Sequence, residues 1–149
     1  MTGYLLDTNV ISEVRKPKPH GAVLEWIASL RPQEIFVPSI ALFELQAGVE
    51  LTRRQDPGKA QEIERWIDAL CSLDNILPLD WQCFRLCAKL IDGHTPDLFA
   101  DAMVAATARV HGLTVATQEL EVIQATLAEK SRHFSIRELF GGRLKRVML

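Results

Sequence analysis

The stretch Tyr4-Leu-Leu-Asp-Thr-Asn-Val-Ile11 decides the fold of this chain. Its first three residues form an apolar run that is too short for a helix and is typical of a buried strand. Asp7 follows directly, and Thr8 and Asn9 are both residue types that begin helices. The stretch therefore predicts a carboxylate at the carboxyl end of a strand, where a helix begins. Ligands of open α/β sheets bind at that place, although an Asp there also serves simply as a helix cap.

The composition is typical of a globular protein with a single hydrophobic core. The chain has 149 residues, of which 48% are hydrophobic and 24% charged, and its formal net charge is −2. We therefore expect one domain over residues 1–149, without a basic surface across the whole molecule. No apolar run approaches the length of a membrane span, and the N-terminus lacks the pattern of a signal peptide. Cys71, Cys83 and Cys87 have neither disulfide nor zinc-finger spacing, which favours a reducing cytoplasm.

Strand and helix patterns alternate along the chain. After the first strand, further strands are predicted at 34–38, 75–79, 113–117 and 134–136, with Pro78 favouring an edge position for its strand. Helices are predicted at 20–30, 39–53, 59–73, 81–91, 96–111 and 118–130, with Ser39 and Asp80 as N-caps. The alternation predicts an α/β fold with a parallel sheet covered by helices on both faces. Right-handed crossovers then place Asp7 and Thr117 on the same rim.

Three further acids lie in positions that are unusual for a charged side chain. Glu44 has only apolar or small residues three and four positions away on its predicted helix. Asp101 lies on the largely apolar face of the next-to-last predicted helix, and Glu119 follows the strand that ends at Thr117. A buried carboxylate is costly unless it is protonated, hydrogen-bonded or bound to a cation.

These acids, together with Asp7, are predicted to converge on one rim, and no Lys, Arg or His lies within four residues of any of them in the sequence. Clustered carboxylates without their own counter-ion indicate a hard cation, Mg²⁺ or Mn²⁺. Such an ion polarises a phosphodiester and activates water for in-line attack. For Glu44 the alternative is an ion pair with a Lys or Arg at the rim. Asp97, one turn before Asp101, is interpreted as a first-turn acid that the helix dipole favours.

Four blocks in this order resemble the PIN-domain ribonucleases, and most nearly the VapC-type toxins of prokaryotic toxin–antitoxin pairs. The blocks are Leu5-Leu-Asp-Thr-Asn9, Ala41-Leu-Phe-Glu-Leu-Gln-Ala-Gly48, Asp101-Ala-Met-Val-Ala-Ala-Thr-Ala108 and Leu113-Thr-Val-Ala-Thr117. Any single block is a weak signal, but the ordered set is specific and covers nearly the whole chain. The resemblance implies a three-layer α/β/α sandwich with a central parallel sheet of about five strands.

The resemblance also implies an activity. It implies Mg²⁺- or Mn²⁺-dependent cleavage of RNA by Asp7, Glu44 and Asp101, which would hold the metal, with a further acid after the fourth strand. Waters or ligands around the metal would be oriented by Thr8, Asn9 and Thr117. In the family a small antitoxin protein occupies the groove over the acids, and the toxins commonly form homodimers, so both partners are expected here.

One segment departs from the family pattern. The family usually has an Asp after the fourth strand, often in Thr-Arg-Asp, where this chain has Thr117-Gln-Glu-Leu120. Glu119 is one methylene longer, so that it either still acts as a ligand, directly or through water, or leaves the second metal position weakened. This segment supports an alternative function, a catalytically weak PIN-like module that mainly holds a partner protein. A receiver or phosphatase domain is disfavoured because it needs a second acid close to Asp7.

Nucleophilic catalysis by a side chain is not indicated, because no Ser–His or Cys–His arrangement is suitably placed. The histidines are expected to be solvated on helix ends or loops; they are His20, His94, His111 and His133. Local basic groups would guide RNA to the acids. The candidate basic groups are Arg15, Lys16, Lys18, Arg53, Arg54 and the cluster at 143–146.

Overall fold

The computed structural model describes residues 3–117 and 145–148, in which a sheet lies between two layers of helices. The strands are β1 (Tyr4–Leu6), β2 (Ile35–Pro38), β3 (Ile76–Leu77), β4 (Thr114–Thr117) and β5 (Lys145–Met148). The α-helices are α1 (Thr8–Glu13), α2 (Gly21–Ser29), α3 (Ser39–Arg53), α4 (Pro57–Cys71), α5 (Trp81–Ile91) and α6 (Phe99–His111). Short 3₁₀ turns are formed by Pro32–Glu34 and Pro96–Leu98. None of the helices in this part of the chain is long and apolar enough to cross a membrane.

The sheet has the strand order β3-β2-β1-β4-β5. The first four strands in the chain run parallel, whereas β5 pairs antiparallel with β4. The prediction of an α/β sandwich is therefore confirmed. The sequence predicted about five parallel strands, and the described residues contain four. The helix predicted at 118–130 and the strand predicted at 134–136 lie outside the described residues. The sequence patterns did not predict β5.

Alternating side chains of the strands pack against helices on opposite faces of the sheet. Leu5 and Val115 belong to a core cluster with α5 and α6. Their neighbours Leu6 and Ala116 belong to a second cluster, which contains residues of α1, α2 and α4. Because both faces of each inner strand are covered, the strands are short apolar runs, as expected for a parallel sheet.

The helix starts confirm one predicted cap and correct another. Asp80 caps α5, because its carboxylate accepts a hydrogen bond from the Cys83 backbone N–H at 2.9 Å. Ser39 does not cap α3; the N-cap is Pro38, and the Ser39 hydroxyl accepts the backbone N–H of Leu79 at 3.0 Å. The Ser39 side chain thus joins the start of α3 to the segment after β3, a long-range partner that no local pattern identifies.

The helix α6 begins and ends close to the predicted residues. Pro96 opens a 3₁₀ turn, and the α-helix proper starts at Phe99. Gly112 ends it in the left-handed conformation, with φ of 65°, and β4 starts two residues later. A residue with a Cβ is strained in that conformation, so the tight passage from α6 into β4 depends on this glycine.

We expect Gly112→Ala to lower the free energy of unfolding by about 1–2 kcal/mol, because the Cβ of alanine is sterically strained in the left-handed conformation. The same substitution at Gly48 serves as its control. Gly48 lies within α3, and a Cβ built there meets nothing within 4 Å. Gly48→Ala should therefore raise the free energy of unfolding by about 0.5–1 kcal/mol. Urea denaturation measures the free energy of unfolding of both variants. If both substitutions change it in the same direction, this explanation is contradicted.

Candidate active site

The register of the central strands sets Asp7 beside Thr117. Leu6 of β1 pairs with Ala116 of β4, and the Asp7 backbone N–H donates to the Ala116 carbonyl at 2.9 Å. Both strands end at this edge of the sheet, and α1 starts directly after Asp7. The sequence prediction that Asp7 and Thr117 share one rim is confirmed.

The Asp7 carboxylate is held by neutral donors. Thr117 donates its hydroxyl to Oδ2 at 2.7 Å, and Asn9 donates its side-chain amide to the same oxygen at 3.1 Å. The Thr8 backbone N–H donates to Oδ1 at 2.8 Å, which makes Asp7 the N-cap of α1 as well. Asp7 forms no ion pair with any residue in the described part of the chain. The carboxylate is therefore fixed in orientation but not neutralised by a cation of this part.

Burial controls the electrostatics of this carboxylate. Only 6% of Asp7 is exposed, and the loss of solvation raises its pKa above the ordinary value for Asp. The hydrogen bonds from Thr117, Thr8 and Asn9 each lower the pKa, in that order of size, but burial outweighs them. A buried carboxylate in this state is stabilised by a proton or by a bound cation.

Thr8 connects Asp7 to Glu44. The Thr8 hydroxyl donates to Glu44 Oε1 at 2.8 Å, while its backbone N–H donates to Asp7. Glu44 is half-buried on α3, the helix that starts where β2 ends. The structure thus joins two of the predicted acids through a single residue, although 36 positions separate Thr8 and Glu44 in the sequence.

Asp101 approaches the same edge of the sheet from another helix. It lies half-buried in the first turn of α6, which packs against α3. Because α6 runs for about 20 Å back to the start of β4, its first turn lies at the edge where the parallel strands end. Asp97 is exposed in the preceding 3₁₀ turn. Glu119 lies outside the described residues, so its role stays a prediction.

The chemistry of these side chains fits a small divalent cation. Carboxylate and hydroxyl oxygens are hard ligands, and Asp7 is a buried carboxylate that Thr8 joins to a second one. Among the described residues, no three His, Cys, Asp or Glu side chains form a group that would hold a metal ion. Mg²⁺ typically uses one or two protein carboxylates and completes its shell with water and substrate oxygens. The pair formed by Asp7 and Glu44 meets that requirement.

The predicted basic groups differ in what they contact. Arg53 is engaged in ion pairs with Glu50 at 3.2 Å and Glu64 at 2.8 Å, so it serves the packing of α3 on α4. Arg15 and Lys16 are exposed in the connection from α1 to α2. The cluster predicted at 143–146 falls partly outside the described residues and partly in β5.

Two features of this region were missed or mispredicted from sequence. Glu13 is 5% exposed, forms an ion pair with Lys16 and accepts the backbone N–H of His20 at 2.8 Å. The spacing of three residues between Glu13 and Lys16 was the available signal. The prediction that His20 is solvated is wrong: its Nδ1 is buried and has no hydrogen-bond partner among the described residues.

The structure also contains a mainly apolar cavity of about 710 Å³ between α2, α4 and β2. None of the predicted site residues lines it. The candidate site is therefore the rim around Asp7 and Glu44.

In metal-free buffer, we expect Asp7 to make the protein less stable as the pH rises. Its pKa is raised on folding, so the native state binds the proton more tightly than the unfolded state. Stability from this group is fully present below the unfolded-state pKa and is lost as the pH rises through the folded-state pKa. Each pKa unit corresponds to about 1.4 kcal/mol. Urea denaturation of wild-type and Asp7→Asn between about pH 4 and pH 7 should show this slope in the wild-type alone.

Asp80→Asn provides a control of opposite sign. The backbone hydrogen bond from Cys83 lowers the Asp80 pKa, so its contribution is present at neutral pH and is lost as the pH falls. The measured quantity is the difference in free energy of unfolding between wild-type and Asp7→Asn. If this difference does not change with pH, or changes in the same direction as for Asp80→Asn, Asp7 is not held as described.

Comparison with known proteins gives a consistent family assignment. The family model described as "PIN domain" matches residues 4–126. Ribonuclease VapC14 of Mycobacterium tuberculosis is 43% identical over 65 residues, which are 44% of this chain and 63% of that relative. Toxin FitB of Neisseria gonorrhoeae is 36% identical over 123 residues, which are 77% of this chain and 86% of the relative.

Similarity to a solved structure supports the same assignment. The crystal structure of FitAcB from Neisseria gonorrhoeae aligns with a TM-score of 0.69 and 34% sequence identity. The alignment covers 83% of this chain and 92% of that chain. The family match extends from β1 past the end of β4 and therefore includes Asp7, Glu44 and Asp101. The resemblance seen in the sequence is confirmed, and the chain belongs to the PIN domain family.

Proposed function

We propose that this protein is a divalent-metal-dependent endoribonuclease that acts as the toxin of a toxin–antitoxin pair. The observation that carries the proposal is the buried Asp7 carboxylate, which neutral donors orient and which Thr8 joins to Glu44. The names of the relatives agree with it, because one is called a ribonuclease and another a toxin. Metal dependence and the RNA substrate are inferences from the carboxylate pair and from the family.

The metal would be Mg²⁺ or Mn²⁺, held by Asp7 and Glu44 with Asp101 as a further carboxylate at the same edge. When bound, such an ion polarises the phosphodiester and makes a water more acidic at neutral pH. The protein residues supply orientation. Thr117 and Asn9 fix the Asp7 carboxylate, and Thr8 fixes both carboxylates at once, so little rearrangement is needed during the reaction.

Substitution of the acids tests this assignment. We expect Asp7→Asn, Glu44→Gln and Asp101→Asn each to lower the rate of Mn²⁺-dependent RNA cleavage by at least about 100-fold, as loss of a preorganised charged group does. Cleavage of a labelled RNA, followed by gel with and without EDTA, measures the rate.

Asp97→Asn is the matched control, because it removes an exposed acid near Asp101 in the same segment of the chain. Its cleavage rate should stay close to that of the wild-type. Undiminished cleavage by Asp7→Asn, or cleavage that EDTA does not affect, would refute the metal-dependent mechanism.

The expected protein partner is a small antitoxin, and the expected assembly includes a homodimer. Both follow from the family resemblance and stay predictions. Expression of the chain in a bacterial host should arrest growth, because RNA cleavage blocks translation. Co-expression with its antitoxin should relieve the arrest, and viable counts measure both effects.

The alternative, a binding module with little catalysis, predicts a different pattern. Growth arrest by such a module would persist in the Asp7→Asn variant, because binding does not require the metal carboxylates. Arrest that is lost in Asp7→Asn but kept in Asp97→Asn would favour the nuclease. Western blots at equal expression exclude loss of protein as the cause.

A further inference from the structure

A groove that reaches Glu44 and Thr8, the neighbour of Asp7, is lined by several basic side chains. It is a cavity of about 540 Å³ between α1, the α1–α2 connection, α3 and α4. Thr8 and Glu44 line it, and its other charged lining residues are Arg15, Lys16, Lys59 and Glu62. We call this cavity the basic groove. Its volume is in the range of about 300–1,000 Å³ that is usual for ligand sites.

Two of the three cations that line the basic groove form no ion pair within the described part of the chain. Neither Arg15 nor Lys59 forms an ion pair with a residue in 3–117, and both are exposed. Lys59 is the third residue of α4, where the helix dipole disfavours a positive charge. The helix dipole therefore does not account for a positive charge at this position.

The connection that carries Arg15 and Lys16 is held in place by contacts with the folded body. The Arg15 guanidinium lies over the Trp66 ring, 5.7 Å from its centroid, which is a cation–π arrangement. The buried Glu13 carboxylate pairs with Lys16 and accepts the backbone N–H of His20. Two prolines between these anchors restrict the backbone further. The cations are thus positioned before any ligand arrives.

One lining residue of the groove is a glycine. Gly48 lines it from α3, is exposed, and would have open space around a Cβ. A glycine within a helix lowers helix stability relative to alanine, so the helix gains nothing from it. Its absent side chain leaves open space in the wall of the groove that α3 forms.

We propose that the basic groove binds the RNA strand next to the scissile bond, with Arg15 and Lys59 contacting phosphates that are not cut. This proposal rests on the proposed function, because it takes Asp7 and Glu44 as the place of cleavage. A single strand is flexible enough to place one phosphodiester at the carboxylates and its neighbours along the groove. Arg15, which packs over Trp66, and Lys59, in the first turn of α4, then determine which bond of the strand lies at the carboxylates.

The salt dependence of RNA binding tests the proposal without any cleavage. The probe is a fluorescein-labelled, single-stranded RNA 12-mer of mixed sequence, titrated in EDTA at several salt concentrations. Each phosphate contact to a single strand contributes about 0.7 to the slope of log affinity against log salt. Arg15→Gln/Lys59→Gln should therefore lower the slope by about 1.4 and weaken binding at low salt by at least about ten-fold.

The matched control removes the same charge from the other face of the sheet. Arg85 and Lys89 are exposed on α5, which packs in the core cluster of Leu5 and not in that of Leu6. Arg85→Gln/Lys89→Gln should leave affinity and slope unchanged. Equal losses in the two double variants, or an unchanged slope in the groove variant, would overturn the proposal. The proposal would also be overturned if binding of a poly-glutamate peptide depends on Arg15 and Lys59 while binding of the RNA does not.

A steric variant gives an independent measurement. Gly48→Glu places an acidic side chain into the groove and should weaken RNA binding by about ten-fold or more, whereas Ala47→Glu adds the same charge at an exposed neighbouring position outside the groove. Thermal melts confirm that both variants are folded. Equal RNA affinities for the two would overturn the proposal. Absence of RNA cleavage together with the expected binding changes would count against the nuclease mechanism and leave the groove assignment standing.

Discussion

The central constraint on this structure is a carboxylate placed where water hardly reaches it. Asp7 ends the middle strand of the sheet, and burial raises its pKa despite the hydrogen bonds that it accepts from neutral donors. An arginine beside it would remove this penalty, but no cation of the described chain pairs with it. Within the described part of the chain the Asp7 carboxylate therefore has no cationic partner, and a divalent ion would supply one. Functional sites commonly keep such locally unfavourable groups at the expense of stability.

The parallel sheet explains why the constraint arises at this edge. A parallel strand order forces each chain segment to return through a helix, so strand ends and helix starts collect on one side. Asp7 is next to Thr117 because of the register between β1 and β4, and Glu44 is near Thr8 because α3 starts where β2 ends. Residues separated by more than one hundred positions, such as Asp7 and Thr117, are thus brought into hydrogen-bond contact by topology.

Local patterns predicted the parts of the fold that local interactions determine. The helix from Trp81 to Ile91 was predicted with its ends and with Asp80 as its cap, because capping is decided within one turn. Ser39 was assigned a cap that it does not form, since its hydroxyl bonds to Leu79, forty residues away. The strand β5 was missed because antiparallel pairing with β4 is a tertiary contact that the short, charged segment does not signal. Glu44 and Asp101 were singled out because their helical neighbours are mostly apolar or small, and Asp7 because it follows a strand. Arg15 and Lys16 were predicted as candidate basic groups, whereas Lys59 was not, because charged surface residues are common.

The role of Thr8 follows from what it connects. A single threonine donates its backbone N–H to one carboxylate and its hydroxyl to the other, so the geometry of Asp7 and Glu44 is coupled through one rigid, β-branched side chain. Such coupling reduces the number of arrangements that the two carboxylates adopt when their charges repel each other. A serine would donate the same bonds with a freer χ1 angle, and an alanine would leave Glu44 without this donor. Thr8, which directly follows Asp7 in the sequence, therefore joins the edge of the sheet to α3. It holds the Asp7 and Glu44 carboxylates in one fixed arrangement.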